Sequence, residues 1–250
     1  MSIATTITAF SSKTTPGAFS HIALADVVCG LKKRTATPGS IHQKGSSLCG
    51  PASFWYCILK RKPQLYVDYV TQMYDTGKAN VFSLIKEPGS ACKNFNPGSS
   101  INPVDWIALA TMRDAANLMT HYSKPSQEVA GVTFPGEMAS WFKAIGYGKG
   151  INRTQLFGDM VKNQSHFEQA FKLRQRGYDV CLLVDRNIIE GDTNWFSMVP
   201  THWVVLTKAV KLTYQQTDIE VFTWGSDTYK VSAKTDDFLR CYYGYVLVGR

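Results

Sequence analysis

The hydrophobic pattern of this chain changes period once, near residue 177, and that change restricts its fold more than any other feature. Before it, apolar residues recur at helical spacing. After it come short apolar runs separated by polar turns. Pro63 opens a segment in which Leu65, Val67, Val70, Met73 and Tyr74 predict a helix ending near Gly77. Pro103 opens another, with Asp105 near its start and Val104, Trp106, Ile107, Ala110 and Leu118 as apolar positions. Residues 135–145, stopping at Gly146, and residues 164–176, closed by Gly177, repeat the pattern. Runs at 178–184, 202–206, 210–214, 219–224, 229–231 and 242–248 then read as strands, with hairpin turns at 215–218 and 225–227. Loops are expected at 86–102 and 185–201. Helices first and an antiparallel sheet last predict an α+β architecture.

Residues 1–40 are rich in Ser, Thr and small side chains, punctuated by Pro16, Gly17, Pro38 and Gly39. They read as a leader or strap, poor order included in that expectation, with one patch at 21–31 able to form a short helix or an extended arm. The remainder, 41–250, reads as a single domain with a helical half at about 41–176 and a sheet half at about 177–250.

At 44% apolar and 18% charged residues the chain is globular rather than disordered. Its six cysteines show no CxxC spacing and no nearby His pair, so zinc has little support and a reducing compartment fits best. No cofactor is expected. No stretch is long and apolar enough for a membrane span, and the first ten residues lack a Sec-type charge and hydrophobicity profile. The net charge of +8 is scattered in short clusters, which argues for a solvated surface or an acidic protein partner ahead of nucleic acid.

Residues 43–59 carry the chemistry. A Gly/Ser-rich loop runs into Cys49, and an apolar helix follows it. A thiol in the first turn of a helix meets the positive end of the macrodipole, which favours the thiolate. Gly50 leaves room for an approaching substrate, and Pro51 suits a first turn. The helix from Ala52 to Leu59 is apolar on nearly every face, so burial in a core is expected. Six residues upstream, Gln43 has an amide able to share an oxyanion hole with the Cys49 backbone N–H, and His42 can line the same cleft. A buried structural cysteine is the competing reading, and a base decides between them. Of the five histidines, His202 alone opens a strand, whereas His121 and His166 sit in polar helical surroundings expected at the surface.

Three motifs together resemble the papain-like cysteine peptidases: Gln43 with the Cys49-Gly50-Pro51-Ala52-Ser53 helix start, the strand 201–206 bearing His202, and Phe222-Thr223-Trp224-Gly225. They cover about 40 of 250 residues, and the helix start looks closer to bacterial branches, such as bacteriocin leader-processing peptidases and effector toxins, than to plant or lysosomal enzymes. The resemblance implies a papain-like fold, with Cys49 at a helix N-terminus in a helical half packed on the sheet half. It implies that His202 deprotonates Cys49, that Gln43 helps bind the oxyanion, and that Trp224 shields the His202 side of the cleft. The family's usual Asn or Asp partner for the histidine is missing before Trp224. Thr223 is the candidate in its place, Asp218 and Asp227 lie at the strand ends, and a two-residue dyad is the alternative. The implied activity is proteolysis, with deamidation of Gln or Asn as the alternative and an inactive scaffold or a basic nucleic-acid-binding module behind it. The implied setting is a bacterial effector made in the cytoplasm, exported without a Sec signal, acting on a protein substrate in a target-cell cytoplasm and neutralised by an acidic immunity protein. Neither nucleic acid nor membrane is an expected partner.

Overall fold

A computed structural model describes residues 2–115, 124, 133–148, 150–192 and 199–249. Leu118, His121 and part of the loop expected at 185–201 lie outside the described residues. The chain divides into two compact units, one made of residues 1–133 and 144–146, the other of 134–143 and 147–250. The first is mainly helical and the second carries an antiparallel sheet, an α+β arrangement. The change of unit falls near residue 133, well before the 176/177 division expected from the periodicity. The reason is that the helix at 164–175 contributes Phe167 and Phe171 to the core of the sheet unit.

In the first unit the order is α1 (Ile3–Ser11), α2 (Leu24–Ala36), a 3₁₀ turn (Pro38–Ser40), α3 (Cys49–Arg61) and α4 (Pro63–Thr76). A small hairpin, β1 (Ala79–Val81) and β2 (Leu84–Lys86), and the short α5 (Ser90–Lys93) follow. The next helix, α6, starts at Pro103–Asp105, passes through a π-helical turn at Trp106–Ala110, and continues through Thr111–Asp114. Residues 1–40 are therefore not a poorly ordered strap. Ile7, Phe10, Val27 and Leu31 are buried, so α1 and α2 belong to the packed unit. The patch at 21–31 lies largely within α2, in its helical alternative, whereas α1 buries Ile7 and Phe10 among small and polar residues, a stripe too sparse to read.

Every residue of α3 from Cys49 to Leu59 is buried, as its all-round apolar sequence requires. The Ser53 hydroxyl this brings inside has no hydrogen-bond partner among the described residues, whereas two other buried polar pairs cross the unit. The Trp55 indole N–H donates to the Ala108 carbonyl at 3.0 Å, and the Tyr69 hydroxyl meets that of Thr111 at 2.8 Å. Helix α4 begins at Pro63 and is closed by Gly77 at φ 71°, a left-handed position suited to glycine. The strongest polar feature is an ion pair inside the unit. Arg34 on α2 donates to both carboxylate oxygens of Asp105 on α6, at 2.9 and 2.6 Å. Their side chains are 3% and 0% exposed.

The second unit runs α7 (Pro135–Ala144), β3 (Ile151–Thr154), α8 (Gln164–Gln175), β4 (Asp179–Val184), α9 (Arg186–Glu190), β5 (His202–Leu212), β6 (Gln216–Thr223), β7 (Ser226–Lys234), α10 (Thr235–Arg240) and β8 (Tyr242–Val248). The strands form one sheet in the order β3-β8-β4-β5-β6-β7, antiparallel throughout. All six residues of β4 are buried, which explains why it reads as a continuous apolar run. Phe167 of α8 and Phe238 of α10 pack on one sheet face with Leu182, Val204 and Val221.

The two strands expected at 202–206 and 210–214 are one strand, interrupted by register shifts after Leu206 and after Ala209. The next turn lies at 213–215, two or three residues before its expected place. The turn after β6 is Trp224–Gly225, with φ of 46° and 80°; positive φ at both positions is what a tight two-residue hairpin demands. Strand β3 and helices α9 and α10 were not expected, being four, five and six residues long and too short to show a period. No helix among the described residues is long and apolar enough to cross a membrane.

Candidate functional site

Cys49 is the first residue of α3 and is 7% exposed. Leu48 precedes it with no side-chain cap, and the first intrahelical bond runs from Ala52 N–H to the Leu48 carbonyl at 3.0 Å. The positive end of the α3 macrodipole therefore falls at this thiol.

The loop leading to Cys49 is held by its own hydrogen bonds. Gln43 is buried, and its Nε2 donates to the Ser46 carbonyl at 2.9 Å, while the Ser46 hydroxyl returns a bond to the Gln43 carbonyl. One amide N–H of Gln43 is thus committed inside the loop. His42 is half-buried, and its Nδ1 accepts the Lys44 backbone N–H at 2.7 Å, so its ring serves the turn. Burial, then the positive charges of Lys44 and Arg34, lower the His42 pKa.

Gly50 plays a different part from the one its sequence suggested. A Cβ there would stand 2.3 Å from the Thr133 hydroxyl oxygen, so the space beside Gly50 belongs to Thr133 and not to a substrate. Gly50→Ala is therefore expected to lower stability by about 1–3 kcal/mol through overpacking. Thr133→Gly in the same chain is expected to recover most of that loss, as read by denaturant midpoints of the two variants.

In the second unit three of the expected residues come together. His202 opens β5 opposite Val184, is 2% exposed, and places Nε2 2.7 Å from the Thr223 hydroxyl oxygen. Trp224 stacks on its ring, with centroids 5.0 Å apart and planes at 23°. The Arg186 guanidinium lies 5.4 Å from the centre of the Trp224 ring and bonds Glu190 one helical turn on. Arg186 N–H also donates to the Thr201 hydroxyl, and the buried Asp185 accepts the Val199 N–H, so the start of β5 is tied to α9. Burial first, and the Arg186 charge second, push the His202 pKa down to about 3. The imidazole is therefore neutral at physiological pH, and the same shift makes it a weaker base than an exposed imidazole. The contact with Thr223 engages Nε2 of the ring. A hydroxyl both donates and accepts, so Thr223 fixes the position of the ring without dictating its tautomer as a carboxylate would.

Cys49 with Gln43 and His42 lies in the first unit, and His202 with Thr223 and Trp224 in the second. Asp218, considered as a partner for His202, instead accepts from Gln216 and Ser232. His166, expected at the surface, is half-buried with Nδ1 3.1 Å from the Tyr242 hydroxyl. Four residues around these groups escaped the sequence reading: Arg34, Asp105, Thr133 and Arg186. Asp105 was seen only as a helix-start acid, and nothing in the local pattern marks the other three. None of the six cysteines is in a disulfide, and of the six Cys29 alone is exposed. No group of three or more His, Cys, Asp or Glu among the described residues is placed to hold a metal ion. The chain matches no family model, no curated protein and no solved structure.

Proposed function

We propose that this chain is a cysteine peptidase of papain-like design, with Cys49 as nucleophile and His202 as its base. The observation that carries the reading is the placement of the His202 ring at the start of a strand, tied through Nε2 to Thr223 and covered by Trp224. Cys49 at an uncapped helix start supplies the complementary half.

In this reading His202 Nδ1 takes the Cys49 proton, and the thiolate adds to a peptide carbonyl carbon. The oxyanion is met by the Cys49 backbone N–H and the remaining Gln43 amide N–H. The imidazolium returns its proton to the departing amine as the C–N bond breaks. Water, deprotonated by His202, then hydrolyses the thioester and releases the acid. Because the resting imidazole is neutral, proton transfer accompanies attack rather than preceding it as a stored ion pair. The same steps on a side-chain amide release ammonia and constitute deamidation. An acidic inhibitor protein is the partner this proposal assigns, the charge of +8 providing faster encounter.

The test is expression of the wild type beside Cys49→Ala in a bacterial cytoplasm, followed by proteome-wide mass spectrometry. New peptide termini confined to the wild type support proteolysis. Mass gains of about one dalton on Gln or Asn, without new termini, support deamidation and overturn the peptidase reading. Identical proteomes overturn both.

A further inference from the structure

Asp105 does more than neutralise Arg34. Besides the two bonds from the guanidinium, its Oδ2 accepts the backbone N–H of His42 at 3.1 Å. Arg34 in turn reaches the Ser40 hydroxyl through Nη1 at 3.4 Å. The ion pair thus holds the chain on both sides of Ile41, itself fully buried. From His42 onward the loop closes on itself. Lys44 N–H meets His42 Nδ1, Lys44 takes a φ of 55°, and Ser46 N–H returns to the Gln43 carbonyl at 3.2 Å. A non-glycine residue adopts that φ only when its surroundings impose it.

Helix α6 also holds the segment on the far side of the thiol. The Ala108 carbonyl, in the π-helical turn that follows Asp105, accepts the Trp55 indole N–H at 3.0 Å. One helix therefore grips the backbone seven residues before Cys49 and the side chain six residues after it. Buried ion pairs seldom stabilise a fold beyond an apolar replacement, and their best-attested use is to select one arrangement over others. Here the arrangement selected is the path of residues 40–48 into the nucleophile.

We infer that Asp105 is a positioning residue: its carboxylate, held by Arg34, fixes the His42–Ser46 turn and with it the placement of Gln43 and the Cys49 N–H toward the oxyanion. The inference rests on reading Cys49 as the nucleophile.

Two double variants separate this role from stability. Arg34→Met with Asp105→Asn and Arg34→Met with Asp105→Leu both remove the buried charges, but only the first keeps an acceptor for the His42 N–H. Alkylation of Cys49 by iodoacetamide is followed by peptide mass spectrometry across pH 5–9, beside the melting temperature of each protein. The asparagine variant is expected to retain the wild-type rate within about threefold and the same pH midpoint. The leucine variant is expected to be at least tenfold slower, its midpoint displaced, even at matched melting temperature. Equal rates and midpoints in the two overturn the inference. Hydrogen exchange on the wild type decides the matter if a variant does not fold. Protection of the His42 and Ser46 amides comparable to the core of α3 supports the clamp, and exchange within seconds overturns it. Exchange protection does not depend on thiol chemistry, so loss of the clamp and loss of the Cys49 reading are separately visible.

Discussion

Asp105→Ala is expected to lower the stability of the protein by about 3–5 kcal/mol, enough to reduce the melting temperature by roughly 10 °C. The cause is the guanidinium left behind. Arg34 is 3% exposed and its two bonds to Asp105 are the ones that replace water around it. With the carboxylate gone, a full charge remains inside the helical unit with only the Ser40 hydroxyl, at 3.4 Å, near its Nη1. The His42 N–H loses its acceptor in the same step. Removing both charges, as in Arg34→Met with Asp105→Leu, is expected to cost less than either single change, because neither partner is stranded. Urea unfolding of the four proteins gives the coupling energy directly. A single-variant loss below about 1 kcal/mol, the level of a surface pair, would show that water reaches the guanidinium and that the site is not buried in solution.

Stability is also expected to fall with acid through His202. Its folded-state pKa is near 3 and its unfolded value near 6.5, so between those limits the unfolded chain holds one more proton than the folded one. Stability therefore rises with pH across that interval, is complete above about 6.5, and is lost as pH falls toward 3. The slope is about 1.4 kcal/mol per pH unit from this one group. His42 and His166 are shifted the same way and add to it. The contribution of His202 is isolated by comparison with His202→Gln, which cannot titrate. The difference in unfolding free energy between the two proteins should shrink steadily from pH 6.5 to pH 4 as the wild type loses ground. A difference independent of pH would show that the imidazole protonates freely in the folded state, against the burial that the sheet unit imposes.

The helices at 63–76, 135–144 and 164–175 and the strands at 179–184 and 242–248 follow from apolar period together with a proline or glycine at one end. Where the sequence misled, length and composition were at fault. Helices α9 and α10 are too short to show periodicity, and α1 buries two side chains spaced among many polar ones. Of the site, Cys49 at its helix start, His202 at its strand start, and Thr223 and Trp224 beside it were legible because each occupies a junction that local chemistry marks. Gly50 was legible as a glycine but not for its reason, since Thr133 lies 83 residues away in sequence. The Arg34–Asp105 pair spans 71 residues and joins two helices whose partnership no local pattern announces. Long-range polar pairs of this kind become visible only when the chain is folded.

The central claim is that His202 activates Cys49. It is tested most directly by the rate of Cys49 alkylation as a function of pH in the wild type and in His202→Ala. The wild type should label Cys49 near neutral pH faster than Cys29, the exposed cysteine, with the advantage falling at least tenfold in the variant. Equal Cys49 rates in the two proteins, or a folded wild type in which Cys49 resists the reagent altogether, would contradict it.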